Sequence, residues 1–107
     1  MDIENDLKYL AETDEIFAQE SGQLDFLKDN IKAFKGNHVI KSNMATSKAQ
    51  EDFYASSVYK TAIKDINLRA VAVNTLRNKR ATAILRIDVW RTLEASRRKG
   101  NIQWQFL

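Results

Sequence analysis

Apolar residues recur every seven positions along the first third of the chain. The repeat has five members spaced seven apart: Ile3, Leu10, Phe17, Leu24 and Ile31. Further apolar residues lie three or four positions from these members. A seven-residue apolar repeat keeps one edge of a helix turned toward a partner helix. The pattern predicts one helix over residues 3–35, with Asp2 as its N-cap and Gly36 at its C-cap.

A second and longer helix is predicted after a connector at residues 36–46. Ser47 is followed three residues later by Gln50, which is the form of a capping box at a helix start. Nothing forces a stop from there to Lys99, and Gly100 stands where a C-cap is expected. The apolar positions thin at residues 74–82, where we expect a kink or a helix boundary. The apolar tail, residues 101–107, lacks helical spacing.

These elements predict an all-α fold, namely a long antiparallel, coiled-coil-like helical hairpin in a single domain over residues 1–107. The composition agrees, because the 107 residues include no proline and three glycines, and a β fold needs more turn-forming residues. A second helix over residues 47–99 would overhang the first. We expect the overhang to self-associate, with Trp90 buried, since its apolar residues cannot stay exposed. The predicted oligomer interface is Leu85, Ile87, Trp90, Leu93, Trp104 and Phe106.

The residue types argue against an enzyme and against a metal site. The chain has no cysteine and one histidine, His38, which lies in the predicted connector. Thiolate nucleophiles and the common zinc sites are therefore excluded, and no glycine-rich phosphate loop occurs. We expect no catalytic residue, no metal and no cofactor.

No membrane association is expected either. No apolar run approaches the roughly 20 residues that a membrane-spanning helix needs. The first residues are acidic and interrupted by charges, unlike a signal peptide. We therefore expect a cytoplasmic protein.

Charge is divided sharply along the chain. Residues 1–30 carry nine carboxylates against two lysines, a net charge of −7, whereas residues 31–107 carry fifteen Lys and Arg against five carboxylates, a net charge of +10. Such a division indicates a polyanion-binding half, two halves that attract one another, or both.

Arginine dominates the basic half, which makes nucleic acid the favoured ligand. At 100° per residue, Arg69, Arg80, Arg91 and Arg98 fall within about one quadrant of a helix, and the planar guanidinium suits phosphate better than an ammonium does. A solvated helix face is the ordinary alternative. The residues predicted to hold phosphates are Arg69, Arg77, Lys79, Arg80, Arg91, Arg97, Arg98 and Lys99.

The run RNKRATAILRIDVWRTLEASRRKGNI, residues 77–102, resembles the C-terminal part of small helical proteins of tailed phages. Its Trp-Arg pair and its arginine-rich end before a glycine are also similar in outline to phage recombination mediators of the UvsY type. The resemblance covers roughly the second half of the chain. It implies a helical protein that forms oligomers with itself, binds single-stranded DNA and assists a recombinase.

Two hypotheses of different classes follow. The first is an oligomeric helical accessory protein of phage recombination or replication that binds single-stranded DNA. The second is a protein-interaction module, such as an anti-defence inhibitor or an assembly adaptor, whose charges address a host protein. Salt separates them, because phosphate contacts lose affinity steeply with salt concentration.

Overall fold

The computed structural model describes the backbone of residues 2–105 and the side chains of residues 2–100. It contains three helices, α1 (Ile3–Lys41), α2 (Thr46–Ala55) and α3 (Ser57–Gln105), and no strand among the described residues. The predicted all-α hairpin fold is confirmed. The chain forms two compact units: a central unit, Phe17–Thr75, and a terminal unit, Met1–Ile16 with Leu76–Leu107.

The central unit is held by the predicted heptad positions of α1. Leu24 is buried together with Ile66 and Val73 of α3. Five partly buried side chains pack around these three: Phe17, Leu27, Ile31, Ile63 and Ala70. Alternating steps of three and four residues put each of these side chains on the edge of its helix that faces the other helix. The apolar heptad positions of α1 in this unit therefore pack against α3, as predicted.

Helix α1 ends at Lys41 and not at residue 35, because α2 packs against its last turns. His38 lies within α1, and its Nε2 is 2.8 Å from Oδ2 of Asp52 in α2. The His38 ring also lies 5.7 Å from the ring of the buried Phe53. Gly36 adopts no left-handed conformation, so it continues the helix instead of capping it. The predicted connector at residues 36–46 thus shrinks to residues 42–45.

The second predicted helix is divided, but at Ser56 and not at residues 74–82. Ser56 has an extended backbone, with ψ of 156°, and its Oγ accepts a hydrogen bond from the Tyr59 N–H at 3.3 Å. A serine oxygen that accepts from the third residue of a helix is an N-cap. The predicted capping box at Ser47 does not form, because α2 begins at Thr46 after Ala45, which makes no side-chain cap.

Among the described residues, the terminal unit has fewer buried apolar side chains than the central unit. Its buried apolar residues are Ala83 and Ile87 of α3, and the buried residue on α1 is a carboxylate, Asp6. Asp2 caps α1 as predicted, since its Oδ1 accepts from the Asn5 N–H at 3.1 Å. Helix α3 continues through residues 74–82 and past Gly100 without a break.

The core of the central unit yields a stability prediction. Leu24→Ala should lower the free energy of unfolding by about 2–3 kcal/mol, because it removes a buried side chain and leaves a cavity. Phe26→Ala is the matched control on the same helix, where the side chain is exposed and the loss should stay within about 0.5 kcal/mol. Urea titration followed by circular dichroism, at one fixed protein concentration, measures both. Equal losses in the two variants would contradict this core.

Candidate nucleic-acid interface

Seven basic residues of α3 fall into two groups according to where their side chains lie and what they contact. One group bonds to polar groups of α1 within the same unit: Arg69, Arg80 and Arg86. The other group lies on α3 beyond the last of these contacts: Arg91, Arg97, Arg98 and Lys99. The structure therefore does not bring the eight predicted phosphate-binding residues together as one open stripe.

Arg80 lies in the seam between α1 and α3 of the terminal unit. Its Nη1 donates to the Leu10 carbonyl at 2.9 Å and to Oγ1 of Thr13 at 2.7 Å. Its Nη2 donates to Oδ1 of Asp14 at 3.0 Å, and its side chain is only 15% exposed. Arg80 is seven residues from both Val73 and Ile87, so it occupies the heptad position that faces α1. The Arg80 guanidinium is therefore bonded to groups of its own chain.

Arg86 and Asp6 form the second contact of this seam. Arg86 Nε lies 2.9 Å from Oδ2 of Asp6, and Nη2 lies 2.6 Å from Oδ1, which is a two-pronged pair. The Asp6 side chain is 8% exposed. The hydrogen bonds from Arg86 lower the pKa of the Asp6 carboxyl, and the hydrogen bond to Asp6 raises the pKa of the Arg86 guanidinium. The pair is therefore ionised at neutral pH.

The central unit contains one contact of the same kind. Arg69 Nη1 donates to Oε2 of Glu20 at 2.5 Å, and both side chains are about one-third exposed. On α1, the polar partners Asp6, Thr13 and Glu20 are spaced seven apart. Each of these residues lies three positions after an apolar member of the α1 heptad, which is the second of the two heptad positions that face a partner helix. Each therefore faces α3.

Sequence reasoning missed this pairing although a signal for it was present. Arg69 and Arg80 look like an outward stripe when only the basic residues are placed on a helical wheel. Counting instead from Ile66 in steps of seven reaches Val73, Arg80 and Ile87, which places Arg80 in the apolar seam. Arg86 falls outside that stripe and was not among the predicted residues.

The face of α3 that meets α1 continues past Arg86 as an open basic surface. Trp90 and Arg97 lie seven residues apart on this face, as do Arg91 and Arg98 one residue further along. Arg91 lies 4.0 Å from Asp88, and Arg97 bonds to Glu94 at 2.9 Å, yet both arginine side chains are about 70% exposed. Arg98 and Lys99 are also exposed. We call Trp90, Arg91, Arg97 and Arg98 the basic end.

The remaining predicted residues have mixed positions. Arg77 and Lys79 are exposed, and Lys79 lines a groove of about 480 Å³ beside Asn5, Tyr9 and Asn78. Among the predicted interface residues, Ile87 is 7% exposed and buried within its own chain, whereas Leu85 and Leu93 are exposed.

Within the single chain Trp90 is 39% exposed, so its predicted burial in an oligomer interface stays a prediction. It lies one helical turn beyond Arg86, whose partner Asp6 is already in the first turn of α1. Phe106 and the side chain of Trp104 lie outside the described residues.

Residues 2–100 show no group of three or more metal-ligating side chains placed to hold an ion. Within the described part of the chain, neither long helix is apolar enough to cross a membrane. Comparisons of the chain with protein-family models, with curated proteins and with solved structures found no match.

The Asp6–Arg86 pair gives a pH-dependent prediction. The pKa of Asp6 is lowered in the folded state, so the pair contributes stability above the ordinary pKa of 3.8, and this is lost as pH falls through the folded pKa. Asp6→Asn should lower the urea midpoint at pH 7, and the gap from wild type should close below about pH 4. Glu12→Gln, an exposed carboxylate on the same helix, is the control. A gap of constant size from pH 7 to pH 2 would refute the assignment.

Proposed function

We propose that this chain is a helical accessory protein that binds single-stranded DNA through the basic end of α3. One observation carries the proposal. In the terminal unit, the face of α3 that receives α1 polar groups at Arg80 and Arg86 continues with the exposed side chains of Trp90, Arg91, Arg97 and Arg98. Along one part of this face the arginines bond to carboxylates of α1. Along the next part, the basic end, the cations can bind another anion.

The composition of the basic end suits a nucleic-acid strand. Arg91 and Arg98 are seven residues apart, which places them about 10 Å apart along one face at 1.5 Å per residue. Trp90 lies between these arginines and the seam and is partly exposed. Sites for single strands commonly combine a cationic track with an aromatic side chain on which a base stacks. Both components are present within nine residues.

The paired arginines are not part of the proposed site. Arg69 and Arg80 already donate to α1 within their own units. In the terminal unit, residues 1–16 carry a net charge of −5, which nearly balances the +6 of residues 76–107. The positive charge that can attract a polyanion is therefore concentrated on α3 past its contacts with α1.

The likeness of residues 77–102 to phage recombination mediators supports a role in recombination or replication. Such proteins act as oligomers, and self-association belongs to the proposal. The recombinase or host protein that would receive the loaded strand is the remaining partner of this hypothesis.

A protein-interaction module is the second candidate function. It is favoured by the exposure of Leu85 and Leu93 together with Trp90 in the terminal unit, because apolar patches on a helix surface mark protein contacts. The two candidates differ in salt response. A phosphate-bound complex weakens log-linearly with salt, whereas an interface with an apolar centre responds much less.

Charge reversal at the basic end tests the proposal. Arg97→Glu combined with Arg98→Glu should weaken binding to a fluorescent single-stranded oligonucleotide at least about tenfold at 50 mM salt. The logarithmic salt slope should flatten by about 0.7 for each phosphate that the variant no longer neutralises. Lys60→Glu combined with Lys64→Glu is the matched control, since both lysines are exposed on the same helix and the charge change is equal.

Fluorescence anisotropy gives the affinities, and circular dichroism verifies that helicity is unchanged. Equal weakening in the two double variants would indicate attraction by net charge alone. Wild-type protein that binds no oligonucleotide at 50 mM salt would rule out the DNA-binding proposal and leave the interaction module.

A further inference from the structure

A second stripe of uncharged residues runs along α3 outside the seam, and its first two members, Asn78 and Thr82, also line the groove beside Asn5 and Tyr9 of α1. Within the terminal unit it consists of Asn78, Thr82, Leu85, Val89 and Thr92, which follow one another in steps of four, three, four and three. All five side chains are exposed, Leu85 at 62%. We call this set the outer stripe. Charged residues flank it at Lys79, Arg86 and Asp88, but none lies on it.

The outer stripe is more apolar than its residue names suggest. The Thr82 hydroxyl donates to the Asn78 carbonyl at 3.0 Å, and the Thr92 hydroxyl donates to the Asp88 carbonyl at 3.1 Å. Each hydroxyl is thus satisfied within its own helix, and the threonine methyl group is left to face outward. The stripe presents two methyl groups, a leucine and a valine, interrupted by one amide.

The steps of three and four make the outer stripe a coiled-coil seam. Thr82 and Val89 take the first apolar position of the heptad, usually written a, and Leu85 takes the second, written d. β-Branched residues at a with leucine at d are the combination that favours parallel two-stranded coiled coils. In the central unit, exposed Leu68, Val71 and Thr75 of α3 also follow steps of three and four, but with leucine at a and valine at d.

Asn78 also fits a two-stranded parallel seam. It occupies a d position, and an amide placed in an apolar seam needs a hydrogen-bond partner there. In a parallel pair, each Asn78 meets the Asn78 of the other copy, where two amides can bond to each other. In an antiparallel pair, the flanks carrying Lys79 and Arg86 would face one another, which places like charges together.

From these observations we infer that the outer stripe is the interface with a second copy of this chain, packed α3 to α3 in parallel. A polyanion finds no cation on the stripe itself, and a partner helix must share its seven-residue period, which a second copy does by construction. The inference specifies the self-association within the proposed function, but it does not depend on DNA binding. It places the two basic ends at the same end of the dimer.

Light scattering after size-exclusion chromatography tests the interface. Wild-type protein at 20 µM should be dimeric. Leu85→Glu combined with Val89→Glu should raise the dissociation constant at least about 100-fold, because carboxylates would enter an apolar seam. Ile84→Glu introduces a carboxylate on α3 away from the stripe and its flanks and should leave the dimer intact. Circular dichroism follows helicity in each variant. A monomeric wild type, or a Leu85/Val89 variant that remains dimeric, overturns the inference.

Cysteine cross-linking tests the parallel orientation, and the absence of cysteine from the chain makes the experiment clean. Leu85→Cys should form a disulfide-linked dimer on mild oxidation, since d positions of a parallel pair face their own counterparts. Ile84→Cys is the control, because Ile84 is comparably exposed but lies away from the stripe and its flanks. Cross-linking of Leu85→Cys no faster than Ile84→Cys refutes the parallel arrangement. Loss of DNA binding in an intact dimer would instead fail the proposed function and leave this interface standing.

Discussion

In the terminal unit, the constraint that shapes everything else is the need of a buried carboxylate for a partner. Asp6 occupies a seam position where most helices carry leucine, and removing its charge from water is costly unless that charge is paired. Arg86 provides the pair with two parallel hydrogen bonds. Sliding α1 along α3 by one turn would separate them and strand both charges. The pair therefore fixes which residues of the two helices face each other, although its own net contribution to stability is small.

The central unit depends mainly on apolar packing instead. Leu24, Ile66 and Val73 form an apolar cluster, and Arg69 with Glu20 stands at its partly exposed border. Apolar contacts tolerate small shifts, since their energy depends on buried area rather than on direction. The ion pair adds the directional element that the cluster lacks. Each unit thus combines apolar burial with arginine pairing, in opposite proportions.

The heptad of α1 was predictable because its residues repeat without exception from Ile3 to Ile31, and a repeat of that length has one physical meaning. The helix break at Ser56 was not predictable, because a serine within a helix and a serine at a helix cap look alike in sequence. The two are distinguished only once Phe53 is known to be buried against α1. Gly36 and Gly100 were taken as stops because glycine favours C-caps, yet α2 contacts hold His38 in α1, and α3 continues through Gly100. Arg80 was predicted to bind phosphate because a sequence pattern shows the spacing of side chains along a helix but not the groups that they contact.

Helix α3 carries opposite chemistry on its two long edges in the terminal unit. The seam edge is rich in arginine, first taken up by α1 and then open at the basic end, while the outer stripe has no charge. The division has a physical advantage, because a dimer packed through the outer stripe leaves the arginines of the basic end outside the helix–helix interface. DNA bound at the basic end then has no need to displace Asp6 from Arg86, a step that would uncover a buried carboxylate. Separation of the two edges lets assembly and strand binding proceed without competing for the same side chains.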